Sequence, residues 1–334
     1  MNKVKIGIIG AGRLGGFHAA KATGHNEVVL AGVYDPVEEN RVRVAEKNGT
    51  VPCDSLEQLL ANSDACICAA LSTAHFELGQ AVLAAGRHLL MEKPLATTAA
   101  DARRLTQLAR EKNLIFQAGH VEQYNPAWLA AAPFLDLVRG GQQAFIEASR
   151  TSGYTFRCTD IGVVLDLMIH DLELVLSLTG TKPVEIMAGA CTQLGGHEDT
   201  ALASLLFPNG TIAQLHASRV EQIPSRMMRV RLPQGTMQID FQTRTTCQTL
   251  ASNSVLGREF SPEKISPAVG ATLAPVFMKE QYTTTTTDNA PTDALELELK
   301  NFIDSILRGV PSQAPATRAA DAIEVAEEIL KKIK

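Results

Sequence analysis

The chain has no apolar run near the length of a bilayer span, no block of basic residues, no C-x-x-C pair and no internal repeat. A membrane helix needs about 20 consecutive apolar residues, so no spanning segment is expected. Lys and Arg total 31 against 36 Asp and Glu, a net charge of -5. Nucleic acid and anionic lipid are held by clustered cations, and neither is expected as a partner. The six cysteines are scattered. Cys66 and Cys68 alternate on one apolar stretch while Cys53, Cys158, Cys191 and Cys247 stand alone, which supplies neither a zinc site nor a disulfide framework. No metal is expected, and the thiols suit a reducing compartment. The N-terminus enters a strand at once without a signal-peptide pattern, so a cytoplasmic location is the expectation.

What is present is enough apolar material for a large core. At 334 residues and 45% hydrophobic content, the chain exceeds the usual single domain and predicts two. Val4 to Ile9 reads as a strand ending in Gly10, Gly12 and Gly15, with a helix continuing from Leu14. This G-x-G-x-x-G lies in the strand-to-helix setting that gives it meaning: a tight turn at Gly10, close approach of a pyrophosphate at Gly12, close helix packing at Gly15. Free amides at the helix start, including those of Arg13 and Leu14, would face the phosphates. A second strand, Val28 to Tyr34, ends in Asp35. Either this is a turn acid before Pro36 or, at this spacing, the acid that binds both ribose hydroxyls of NAD. A 2'-phosphate would be repelled there, so NAD is favoured over NADP, although Arg41 and Arg43 lie nearby.

Strand and helix patterns then alternate. Ser55 to Gln58 looks like a capping box, Ala65 to Ala70 is a buried strand, and Ser72 and Thr73 precede a helix that contains His75. In His88 to Pro94, Leu89 to Met91 read as a strand buried on both faces. Glu92 and Lys93 follow at its end. Pro94 pushes the residue before it to an extended backbone, so Lys93 stands at the carboxyl edge of the sheet, where open α/β sheets bind ligands. Thr98 to Lys112 is a helix and Ile115 to Ala118 a strand. The alternation predicts a doubly wound parallel sheet.

From Gly119 the texture changes. His120, Glu122 and Tyr124 lie in a crossover, and Asn125 caps a helix expected from Pro126 to Arg139. Ala144 to Thr151 is a strand. A polar loop with Tyr154 and Arg157 leads to a helix from Ile161 to Gly180, apolar almost all round and yet carrying Asp166, His170 and Asp171. Asp166 and His170 at i and i+4 are expected to pair, and a carboxylate beside the imidazole should raise its pKa. Beyond Pro183, short strands with Asn209-Gly210 and Gln234-Gly235 turns predict a mainly antiparallel sheet; Arg229 and Arg231 alternate on one side as a solvated face or an anion contact. Residues 252–291, with Thr283 to Thr287, are turn-rich and unplaced. Leu295 to Leu307 and Arg318 to Lys332 close the chain as helices.

With the glycine loop, Glu92-Lys93-Pro94 and Asp166-x-x-x-His170 in this order, the chain resembles the Gfo/Idh/MocA oxidoreductase family over essentially its whole length. The resemblance implies an α/β protein. Residues 1–121 would form a Rossmann domain, and residues 122–334 a substrate-binding α+β domain on a large open sheet that serves as the interface of a homodimer or homotetramer. The final helices belong to the second domain or pack back on the first. It also implies nicotinamide-dependent oxidation of a sugar or polyol hydroxyl, with Lys93 near the nicotinamide and the reacting oxygen, His170 as acid/base and Asp166 as its companion. Gly10, Gly12, Arg13, Leu14, Gly15, Asp35, Ser72, Thr73, His75, Glu92 and Lys93 are the cofactor set. His120, Tyr124, Arg150, Arg157 and Asp171 are substrate-side candidates, the two arginines for a diphosphate. Residues 119–127 and 162–171 resemble the branch that contains UDP-N-acetylglucosamine 3-dehydrogenases, although Gln123 stands where many relatives carry arginine. A dehydrogenase of free polyols or monosaccharides such as myo-inositol, and a non-catalytic NAD-binding regulator, are the competing readings.

Overall fold

A computed structural model describes residues 3–156, 158–259 and 261–333. Strands β1 (Val4–Ile9), β2 (Val28–Tyr34), β3 (Pro52–Cys53), β4 (Ala65–Cys68), β5 (His88–Glu92) and β6 (Phe116–Gly119) form one parallel sheet. Its order is β3-β2-β1-β4-β5-β6, so the winding reverses between β1 and β4 and opens a crevice at their carboxyl ends. The continuous apolar reading of β4 and β5 has its cause here: Ala65 to Cys68 and Leu89 to Met91 are wholly buried, covered on both faces. Caps set the crossovers. Ser55 accepts from the Gln58 amide, and Thr98 from that of Asp101.

The second sheet comprises β7 (Phe145–Thr151), β8 (Glu185–Cys191), β9 (Thr200–Leu206), β10 (Ile212–Ser218), β11 (Ser225–Leu232), β12 (Gly235–Asp240), β13 (Thr245–Ala251) and β14 (Tyr282–Asp288), ordered β14-β13-β12-β11-β7-β10-β9-β8. Every neighbouring pair is antiparallel except β7 and β10. One face is packed by helix and the other is open.

The last helices tie the two sheets together. Leu299, Phe302 and Ile303 of the Ala294–Arg308 helix are buried against Ile6 and Ile8 of β1, each worth about 1.5–3 kcal/mol of transfer free energy. The Ala316–Ile333 helix buries Ala319, Ile323 and Ile329 in a core shared by β5 and the helix-covered face of the second sheet.

Three elements differ from the sequence reading. The helix expected over residues 126–139 is two, Pro126–Ala130 and Ala132–Arg139, because Pro133 lacks the amide needed to continue the first. Within the buried helix, Val164–Met168 winds as a π-helical turn before Ile169–Thr179 continues as α-helix. Residues 252–291 contain a Pro267–Gln281 helix with no buried residue and the edge strand β14.

Candidate active site

The first side of the crevice is the glycine loop. Gly10 has φ +91°, and a Cβ there would lie 2.7 Å from the Ala69 carbonyl; a Cβ at Gly15 would lie 1.8 Å from the Gly10 oxygen. These two glycines are demanded by the protein itself. Gly12 differs: a Cβ there would meet nothing within 4 Å, so its bareness serves whatever approaches from outside. The Arg13–Gly24 helix starts there with no side-chain cap, which leaves its first amides to an anion. Arg13 is exposed with its guanidinium over the Phe17 ring, and Leu14 is half-buried.

Asp35 ends β2, and its carboxylate accepts from the Ala11 amide at 2.7 Å and the Val37 amide at 2.9 Å. Its place beside the loop is thereby fixed. The nearby cations are engaged elsewhere: Arg41 pairs with Asp54, and Arg43 donates to the Ala11 carbonyl and Asn40. An open loop face, uncapped amides and a fixed acid suit a dinucleotide with free ribose hydroxyls.

The other strand ends complete that edge. Ser72 and Thr73 lie in a single turn, Ser72–Ala74, behind Leu71, which is 77% exposed for an apolar residue. His75 faces inward. Its Nδ1 is 2.6 Å from the Pro94 carbonyl and its Nε2 3.1 Å from that of Ala70; the neutral ring donates to one of the two and presents neither nitrogen to a ligand. Glu92 also turns in, with Oε1 2.8 Å from Nε2 of His18 on the first helix. Both side chains are engaged within the protein, at the loops that border this edge.

Lys93 points across the crevice. Its Nζ donates to the backbone oxygen of Asp166 at 2.7 Å and to Oδ1 at 3.1 Å, a contact between the two halves of the chain. The expected Asp166–His170 pair is absent, and this is a correction with a physical cause. The wider π-helical turn over Val164–Met168 rotates Asp166 away from the face of His170 and delivers it to Lys93. The expected rise in the His170 pKa is corrected too. Burial first, then the positive charge of Lys93, followed by Arg150, His120 and Arg226, holds it well below its ordinary 6.5. A neutral imidazole results, which can accept a proton.

Several substrate-side candidates prove to be internal. Arg150 is buried, donates to both oxygens of Asp171 and reaches Glu122 at 2.7 Å. Two carboxylates saturate its fork, so neither Arg150 nor Asp171 is available to a diphosphate. Tyr124 is buried and donates to Asn301 at 2.8 Å. Gln123 donates to Glu173, whose guanidinium partner comes instead from Arg318. His120 is buried edge-to-face with His170 at 6.1 Å between ring centroids. Arg157 lies outside the described residues. Arg229 and Arg231 pair with Glu147 on the open sheet face.

Sequence reasoning missed three residues here. Arg226 on β11 is register-paired with Arg150, exposed, and acts electrostatically on His170. His18 follows Gly15 by three residues, a signal that was present. Glu298 interrupts the buried apolar stripe of its helix, another legible anomaly.

A nucleotide-binding crevice faced by an amine, a carboxylate and a neutral imidazole defines a dehydrogenase-type site. Residues 4–120 match the oxidoreductase-family NAD-binding Rossmann fold of Gfo/Idh/MocA proteins, and residues 140–238 match the C-terminal domain of that family. The chain is 36% identical over 250 residues to UDP-N-acetylglucosamine 3-dehydrogenase of Acidithiobacillus ferrooxidans, covering 73% of this chain and 76% of that one. A solved structure of that enzyme superposes with TM-score 0.86 at 29% identity, covering 100% of this chain and 98% of the other. Myo-inositol 2-dehydrogenase of Thermotoga maritima is 25% identical over 240 residues, 65% of this chain and 69% of its own. The chain belongs to the Gfo/Idh/MocA oxidoreductase family.

Proposed function

We propose that the protein is an NAD-dependent dehydrogenase that oxidises a ring hydroxyl of a nucleotide sugar, the 3-hydroxyl of UDP-N-acetylglucosamine being the position tested first. The observation that carries this reading is the contact of Lys93 Nζ with Asp166, since it brings an amine from the cofactor half against the turn that leads to His170. The glycine loop and Asp35 would hold the dinucleotide, which supplies the hydride acceptor when bound. The chain's own residues do the rest. His170, neutral, takes the hydroxyl proton; Lys93 donates to the same oxygen and offsets the negative charge that develops on it; Asp166 orients Lys93. Arg226, exposed and with no carboxylate partner among the described residues, is placed to hold the diphosphate that the buried Arg150 cannot reach. The 36% identical relative supports the choice of sugar.

Among the described residues no helix is long and apolar enough to cross a membrane and no two cysteines form a disulfide, which suits the reducing cytoplasm proposed as its location. The open sheet face is the proposed contact of a homodimer or homotetramer. The deciding experiment is NADH formation with UDP-N-acetylglucosamine beside free myo-inositol. Turnover with inositol and none with the nucleotide sugar would replace this reading by the polyol one. NAD binding without turnover of either would favour the regulator.

A further inference from the structure

Glu298 is wholly buried on the Ala294–Arg308 helix, and neither of its carboxyl oxygens has a hydrogen-bond partner among the described residues. Buried polar groups are nearly always satisfied. One of its oxygens, a ring nitrogen of His18 and an oxygen of Glu92 all lie within 4.8 Å of one another. His18 comes from the helix after the glycine loop, and Glu92 directly precedes Lys93. Room is kept for this cluster: a Cβ at Gly119 would stand 2.8 Å from Oε2 of Glu92.

Beyond His18, whose Nε2 is already engaged by Glu92, the groups around Glu298 supply no counter-charge. On the first helix, Lys21 is held by Asp293 and Glu296. From β6 and the crossover come Gln117, which donates to the Glu298 backbone oxygen, and Tyr124, which donates to Asn301. On its own helix Lys300 pairs with Asp304. An ionised Glu298 would therefore face the Glu92 carboxylate unaided, and two carboxylates at one buried site do not both ionise. The 2.8 Å His18–Glu92 contact is already a complete hydrogen bond and needs no metal between the two.

We propose that Glu298 is a positioning residue held as the neutral acid at neutral pH beside Glu92. His18, Glu92 and Glu298 then form one buried cluster where the dinucleotide helix, the turn that carries Lys93 and the C-terminal helix meet. Burial, and secondarily the Glu92 charge, push the Glu298 pKa well above its ordinary 4.5. The protonation stands independently of the dehydrogenase reading; only its kinetic consequence rests on it.

The test compares the full-length protein with Glu298→Gln. At neutral pH the infrared carbonyl band of a protonated carboxyl should be present in the parent and absent from E298Q. The native parent binds more protons than its unfolded chain above pH 4.5, so its stability falls with rising pH. The melting temperature of E298Q minus that of the parent should thus be smallest near that pH and grow toward alkaline pH. In turnover, an alkaline loss of kcat/KM in the parent should move or vanish in E298Q, which a merely structural glutamate would not produce. A missing band, a pH-independent difference in melting temperature, or one equivalent of divalent metal in the purified parent that E298Q lacks overturns the proposal. Failure of E298Q to fold also overturns it, since the amide reproduces the neutral acid's shape. Turnover of neither sugar would sink the dehydrogenase reading and leave the infrared and thermal results standing.

Discussion

At the scale of single residues, the site works by differences in charge and burial. His170 is neutral at neutral pH because burial and the Lys93 charge both oppose its protonated form. The acid limb of kcat/KM for sugar oxidation should therefore fall below pH 6.5, the ordinary imidazole value, and a limb above it in the free enzyme would remove His170 as the base. His170→Asn should lower kcat by about 10²–10⁴-fold, the usual worth of a general base. Lys93→Ala should retain NAD affinity, measured by fluorescence titration, and lose on the order of 10²–10³-fold in kcat, as expected for a donor to a developing oxyanion. An unchanged rate would exclude the amine from the chemistry. For Arg226→Ala the expected change is a KM for UDP-N-acetylglucosamine raised by about tenfold or more, a charged hydrogen bond being worth roughly 1.5–3 kcal/mol, with little change in kcat. Equal losses in KM for a neutral sugar would place Arg226 outside any phosphate contact.

At the scale of elements, the turn over Val164–Met168 decides where Asp166 points, and its start is held from outside. The Glu198 carboxylate accepts from the Val164 amide at 3.1 Å, while its backbone oxygen accepts from Val163. Neighbouring Asp199 pairs with Arg219, which donates to the Ile161 carbonyl. Gly162 makes room for this clamp, since a Cβ there would come within 2.2 Å of three Glu198 side-chain atoms. Gly162→Ala should displace Glu198 and cost about 1 kcal/mol, the worth of a helix cap. Because Asp166 would shift with the turn, kcat should fall while NAD affinity holds; a stable variant with parental kcat would detach the turn from the chemistry.

The same turn shows where sequence reading stops. Strand β4 and the Leu89–Met91 stretch of β5 were legible because burial on both faces writes itself as an unbroken apolar run, and the glycine loop because Gly10 and Gly15 are sterically forced. Lys93 at a strand end was legible from Pro94. The partner of Asp166 was not, since i, i+4 logic presumes α-helical winding and nothing local announces a π-turn. Arg150 could not be read either. Its carboxylate partners, Glu122 and Asp171, come from the crossover and from the buried helix, and only the fold brings them together. Strand β14 escaped because Thr283 to Thr287 lie on an edge with both faces exposed, so propensity remained without a burial pattern.

At the scale of the molecule, the helices that cover the second sheet use only one of its faces. On β9, Ala201, Ala203 and Leu205 point to that core, while Leu202 points the other way and is 59% exposed. Met187 on β8, at 71%, shares that outer face, and Leu202 lies directly opposite His216 of β10. Large exposed apolar side chains on one sheet face suit the proposed homo-oligomer contact, and identical copies meet most economically about a two-fold axis that pairs the same patch with itself. In such an arrangement every outer-face change is introduced twice at one interface. Leu202→Asp would set a carboxylate on each copy against the apolar face of the other, and a buried unpaired charge costs several kcal/mol per ion. Light scattering should then show the mass of the variant reduced to that of a single chain or a smaller assembly, at protein concentrations where the parent stays associated. An unchanged mass would assign the contact to another surface, the bare Pro267–Gln281 helix being the next to test.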